Sequence, residues 1–365
     1  MDADDVAQAT CALLGEGQCL ARAVAVPAMG IRPFLVVSQA SVDRVAAAVP
    51  DVDVENAARG RQTARTWSWE SSSAYLGFTG TGQSSGKYIR NGTGARVYIV
   101  NKAVNCTAVG GECYTSASPT PQWDDTGLEG GGGNGTDCAL AARAAASSVH
   151  IVSVPTVGTS LARLLLSLSL VATLHVDAVA AGLNRRAVVT FAATATQRSS
   201  GSSPLADLVE DTLARMRRAG VVSVAAAGNN NTDACQVVAR TNTTLIVAAA
   251  DRRADNKLYR AANSNFGACC DLFGPSDSTD TAAAFVAGVA AGICADLNEP
   301  GPAWLVADTI LANATKVHVR GRLSTPDLLV HAPLEYRQSP ILEPGSEWLP
   351  IGLGIFLIVA ALAVS

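Results

Sequence analysis

Aromatic side chains are scarce, at 5% of 365 residues, although apolar residues of all kinds reach 48%. A core with few large rings must be filled by Ala, Val and Leu. That suits close-packed helices on a parallel sheet and argues against an aromatic-rich β-sandwich. Charged residues are also sparse, at 16%, with a net charge of −4 and no long basic run. The chain therefore lacks the electrostatic footprint of a nucleic-acid binder. Nine cysteines are too few to staple a chain of this length, and none forms a CxxC pair. Neither a disulfide scaffold nor a structural zinc site is expected, and no other metal or cofactor is implied. Cys106 and Cys113 flank a short glycine-containing loop; they either bridge locally or pack as free thiols. No uninterrupted apolar run of the signal-peptide kind follows the acidic start MDADDVAQAT promptly. The nearest candidate, Ala23 to Ile31, comes late and contains Pro27.

What is present divides into segments. Residues 1–60 read as a small α+β unit. It has a strand at Pro33 to Ser38, a helix at Val42 to Val49 and an alternating edge strand at Asp51 to Glu55. A polar linker, Ala58 to Thr66, follows. From Arg96 onward, short apolar strands alternate with helices: Arg96 to Val100, Val149 to Val154, Ala187 to Ala192, Val221 to Ala227 and Thr244 to Ala250. A long Leu-rich helix is expected after Thr159, ending near Gly182. A second is expected after Ser203 and Pro204, with Leu205, Leu208, Val209, Leu213 and Met216 on one face. Arg215, Arg217 and Arg218 suit its C-terminal end, and Gly220 stops it. This pattern predicts an α/β domain over 65–335: a doubly wound parallel sheet with helices on both faces and ligands at the carboxyl ends of its strands.

Residues 336–347 read as a Pro/Glu-rich linker, and 348–365 carry no charge. Eighteen residues make a helix of about 27 Å, enough to cross a bilayer core. The segment is expected to be a single-pass membrane span near the C-terminus. A lipid-anchor tail and a buried helix are the other readings. Six Asn-x-Thr sequons, at Asn91, Asn105, Asn134, Asn230, Asn242 and Asn313, favour a luminal or extracellular domain.

Several ordered motifs resemble the subtilisin-like serine proteases, particularly their proteinase K branch. They are Gly220-Val-Val-Ser-Val-Ala-Ala-Ala-Gly-Asn-Asn-Asn231, Ala249-Ala-Asp-Arg-Arg253, Ser264-Asn-Phe-Gly267, Asp271-Leu-Phe-Gly-Pro275 and Phe285-Val-Ala-Gly-Val-Ala-Ala291. The resemblance covers about residues 65–335. It implies that residues 1–60 correspond to the inhibitory propeptide. It also implies a catalytic Asp, His and Ser in that chain order, with an oxyanion-hole Asn. At the Asp position this chain has Asn101, and at the His position, within Gly133-Asn-Gly-Thr-Asp-Cys-Ala139, it has Asn134. Counting back from Val286-Ala-Gly288 places Asp280 at the nucleophile. Asn229 keeps the oxyanion position, where it equally suits a turn after a strand.

Between Pro275 and the following helix the chain is also shorter than the family pattern, by about fifteen residues on that resemblance. A slip of one or two residues would make Ser278 the alternative nucleophile. None of the histidines, at 150, 175, 318 and 331, is expected beside Asp280. The expectation is a subtilisin-like fold without hydrolysis, attached to a membrane, whose cleft binds peptide or protein or whose domain serves as a folded body. The alternative is an active endopeptidase with an atypical site.

Overall fold

Strands of Val, Ala and Ile with no polar interruptions can only be buried on both faces, and the central sheet meets that requirement. The computed structural model describes residues 19–23, 26–31, 34–37, 91–115, 134–156, 161–183, 186–192, 204–237, 244–255, 257–297 and 303–332. In chain order the strands of the main sheet are β3 (Arg96–Asn101), β4 (Cys113–Thr115), β5 (His150–Pro155), β6 (Ala187–Phe191), β7 (Val221–Ala226), β8 (Thr244–Arg252), β9 (Leu258–Arg260), β10 (Leu272–Pro275), β11 (Thr315–Lys316) and β12 (Leu328–Leu329). The helices are α1 (Cys106–Val109), α2 (Asn134–Ala145), α3 (Leu161–Ala180), α4 (Pro204–Arg218), α5 (Ala234–Val237), α6 (Thr279–Asp296) and α7 (Ala303–Asn313).

The sheet runs β11-β12-β10-β8-β7-β6-β3-β5-β4, and β9 pairs with β8. Pairing is parallel throughout this path except between β11 and β12; the β8–β9 pair is also antiparallel. The chain leaves β3 first to one side, toward β5, and later returns on the other side with β6. The order therefore reverses beside β3, and the carboxyl end of that strand is where such sheets bind ligands.

Alternation along β3 sorts the two helical layers. Val97 and Ile99 join the cluster of α2 and α6, while Tyr98 and Val100 join that of α3 and α4. In α6 every residue from Thr279 to Cys294 is buried, as befits a helix apolar all round. Both α3 and α6 are long and apolar enough to cross a membrane, yet in this fold each packs on the sheet. Within α4 the expected apolar face is narrower than its sequence suggests. Val209, Leu213 and Met216 are buried, but Leu208 is exposed.

Ahead of the sheet, β1 (Cys19–Ala23) and β2 (Phe34–Val37) form an antiparallel pair. The apolar stretch between them is not set apart from the domain. Val26, Met29 and Ile31 are buried in the cluster that holds α3 and α4. The expected helix at 42–49, the strand at 51–55, both linkers and the apolar stretch 348–365 lie outside the described residues, as does Asn242.

Candidate functional site

The site forms where β3, α2, β7 and α6 end or begin. Asn101 closes β3 and is buried. Its carbonyl oxygen Oδ1 accepts from the Lys102 backbone at 2.8 Å, and its Nδ2 donates to Cys138 Sγ at 3.7 Å. Asn134 opens α2, one turn before Cys138. That first turn sits directly on the chain leaving β3: a Cβ added at Gly135 would stand 1.9 Å from the Lys102 carbonyl oxygen. Thr136 fastens the same approach by accepting from the Asn105 backbone at 2.9 Å.

From the other side, β10 feeds α6 through only Ser276, Asp277 and Ser278. This tight connection falls where the sequence was expected to run short of the family pattern. Ser276 Oγ accepts from the Ser278 backbone at 3.1 Å and bonds to the Thr281 hydroxyl, so the link is internally braced. Asp280 then falls in the first turn of α6, buried. Its Oδ2 accepts from Asn229 Nδ2 at 3.1 Å. Asn229 is held on its other side as well. Its Oδ1 accepts from the Thr279 backbone at 2.9 Å and from the Thr279 hydroxyl at 3.0 Å. Thr279 Oγ1 in turn accepts from the Gly228 backbone at 3.1 Å. The turn after β7 is thus laced to the first turn of α6.

Behind that turn stands Asn265, fully buried, whose role was not read from sequence. Its Oδ1 accepts from the Asn230 and Thr232 backbones and the Thr232 hydroxyl, and its Nδ2 donates to the Ala227 carbonyl. A polar residue between two apolar strands, in Ser264-Asn-Phe-Gly267, was the available signal.

Burial pushes the Asp280 carboxyl up to about 6, opposed by the hydrogen bond from Asn229. Burial likewise holds the Cys138 thiol well above its usual range. The Asp280 and Asp137 carboxylates add to that shift, and the Asn101 amide opposes it. Cys138 is therefore a neutral thiol under ordinary conditions and a poor nucleophile.

The histidines lie elsewhere. His175 is buried on α3, across the sheet from α6, with Arg96 Nη2 at 3.4 Å and Tyr98 edge-on to its ring. His150 starts β5 beside Glu112 and Tyr114. His331 meets Thr315, and His318 is exposed. Ser278 is the residue before α6; none of its hydrogen bonds involves an imidazole. Among the described residues no group of three His, Cys, Asp or Glu side chains is arranged to hold a metal.

Asn101, the Asn134 turn, Asp280 and Asn229 therefore share one end of the sheet, whereas the histidines do not join them. Such a site can hold and accept hydrogen bonds. It offers no imidazole to take a proton from a hydroxyl.

No family model matches the chain. It is 29% identical over 193 residues to a subtilisin-like serine protease of Rhodotorula mucilaginosa, spanning 50% of this chain and 53% of that protein. Over 64 residues it is 45% identical to an extracellular serine proteinase of a Thermus strain, covering 18% of this chain and 15% of the relative. The chain thus spans about half the length of the first relative and less of the second. Among solved structures, a cold-adapted subtilisin-like serine proteinase superposes with a TM-score of 0.50 at 22% identity, over 68% of this chain and 92% of that one. The epidermin leader peptide processing serine protease of Staphylococcus aureus superposes with a TM-score of 0.58 at 12% identity, over 91% and 95%. The architecture is the subtilisin-like α/β fold, and the chain is a homologue of subtilisin-like serine proteases.

Proposed function

We propose that this homologue is a pseudoprotease: a subtilisin-like domain that keeps the sheet and has lost peptide hydrolysis, acting as a binding or structural body. Three separate chemical losses support the reading. Asn101 stands where a carboxylate would orient and stabilise an imidazolium, and an amide does neither; in the well-studied triad that change alone costs about 10⁴ in rate. Asn134 stands at the base position and has no proton equilibrium near neutral pH. Asp280 stands at the nucleophile position.

The observation that carries most weight is the Asn229–Asp280 bond of 3.1 Å. Oxyanion stabilisation needs a donor aimed at a place where negative charge develops during the reaction. Here the amide already serves a carboxyl group, and above about pH 6 that group is itself negative. A second negative charge would then have to develop beside it, which is unfavourable in a buried site.

Membrane attachment through 348–365 and an extracytoplasmic placement complete the reading. Both rest on the uncharged C-terminal stretch and the sequons. Two disulfides, Cys106–Cys113 and Cys235–Cys269, lend support, since such bridges persist in oxidising compartments.

The test is direct. The purified chain is expected neither to cleave a casein-type substrate nor to react with a fluorophosphonate serine probe. Labelling that disappears in Ser278→Ala would overturn the proposal in favour of an atypical active protease.

A further inference from the structure

Asn230 begins the sequon Asn230-Asn-Thr232 and directly follows Asn229, the residue whose amide meets Asp280. We infer that Asn230 carries an N-linked glycan, and that this glycan roofs the Asn229–Asp280 site and withholds it from polypeptides. The inference rests on the extracytoplasmic reading given above.

The sequons differ in what their amides do. At Asn313 the nitrogen that would be modified donates to the Thr309 carbonyl at 2.8 Å. Asn105 uses its oxygen to cap α1. Asn91 is exposed in a tight turn, its oxygen accepting from the Thr93 backbone and hydroxyl at 3.0 and 2.9 Å. Asn230 is exposed, and among the described residues its side chain makes no hydrogen bond. A glycan on it breaks no side-chain hydrogen bond among the described residues.

The loop beneath is well fixed. The Asn230 N–H and the Thr232 N–H both donate to buried Asn265. Asn231 adopts a left-handed conformation, φ 54°, with its Oδ1 accepting from Arg260 Nη2 at 2.8 Å. Consecutive Cα atoms lie about 3.8 Å apart, so the exposed Asn230 is rooted one residue from the amide that meets Asp280. A branched sugar is far larger than that separation.

The chemistry is that of sequon transfer from a lipid-diphosphate oligosaccharide. A bond forms between Asn230 Nδ2 and the anomeric carbon. The anomeric C–O bond to the diphosphate breaks, the lipid diphosphate leaves with the electron pair, and the amide proton passes to a base of the transferase. In the folded chain the Thr232 hydroxyl donates to Asn265 at 3.2 Å. Transfer therefore precedes closure of this loop.

The experiment uses the full chain made in eukaryotic cells with a secretory pathway. A glycan-removing amidase in heavy-oxygen water converts each glycosylated Asn to labelled Asp, which is then mapped by mass spectrometry. Label is expected at Asn230 and at Asn91. Label at Asn91 with none at Asn230 would overturn the inference while leaving the compartment reading intact; label at neither would overturn both. A second measurement follows alkylation of S278C by a bulky polymer-linked maleimide. Alkylation is expected to be several-fold faster when N230Q is combined with S278C, and equal rates would overturn the roofing role even where the glycan is present.

Discussion

A buried carboxyl group is costly to ionise unless several donors face it, and Asp280 receives one amide, from Asn229. Its folded value of about 6 lies above the usual 3.8, so the folded state holds the proton more tightly than the unfolded chain does. Stability from this group is therefore greatest below about pH 4, and it is lost as pH rises toward 6. A rise from 3.8 to about 6 corresponds to roughly 3 kcal/mol at pH 8. Asp280→Asn, which keeps an oxygen to accept from Asn229, is expected to raise the denaturation midpoint at pH 8 by that order. The gain should vanish near pH 4, and equal midpoints at both pH values would contradict the burial argument. That positions 101, 134 and 280 are candidates for one site was legible from chain order alone. The partners were not: Cys138 meets Asn101 only because α2 is phased to turn that residue toward the end of β3.

Among the elements, α6 explains the composition best. It is buried on every side and crosses α2 so closely that a Cβ at Gly288 would lie 2.2 Å from the Ala142 carbonyl oxygen and 2.9 Å from Ala145 Cβ. Backbone cannot retreat as a flexible side chain would, so Gly288→Ala is expected to cost roughly 2–3 kcal/mol, read as a fall in the urea midpoint. A neutral result would mean that the two helices can separate. Strands β3, β5, β6, β7 and β8 and the helices α3 and α4 were readable from apolar runs, caps and Gly220. Leu208 was not. Helical spacing placed it beside the buried stripe, but whether a neighbouring element covers that edge depends on packing. The link from Pro275 to Thr279 was read only as an expected loss of length; that it braces itself through Ser276 is a matter of three-dimensional contact.

At the scale of the whole molecule, two bridges among the described residues tie segments of very different separation. Cys106–Cys113 closes seven residues, and Cys235–Cys269 closes thirty-four. By loop-closure entropy the longer is worth about 4 kcal/mol and the shorter about 2. The pair C235S/C269S is therefore expected to lower the denaturation midpoint more than C106S/C113S does, and the reverse order would count against the bridge at 235–269. Adjacent spacing suggested the first bridge. The second joins α5 to the loop before β10, and no local pattern announces it. The same division runs through the protein as a whole. Sparse aromatics, uninterrupted apolar strands and ordered motifs determined a helix-covered parallel sheet that resembles the subtilisin-like proteases, because burial period and chain order are written along one dimension. Tertiary structure alone decided that the Asn229 amide meets Asp280 and Thr279, and that the sheet separates His175 from α6. Hydrogen bonds and close crossings join residues far apart in sequence, and their geometry exists only once the layers have packed.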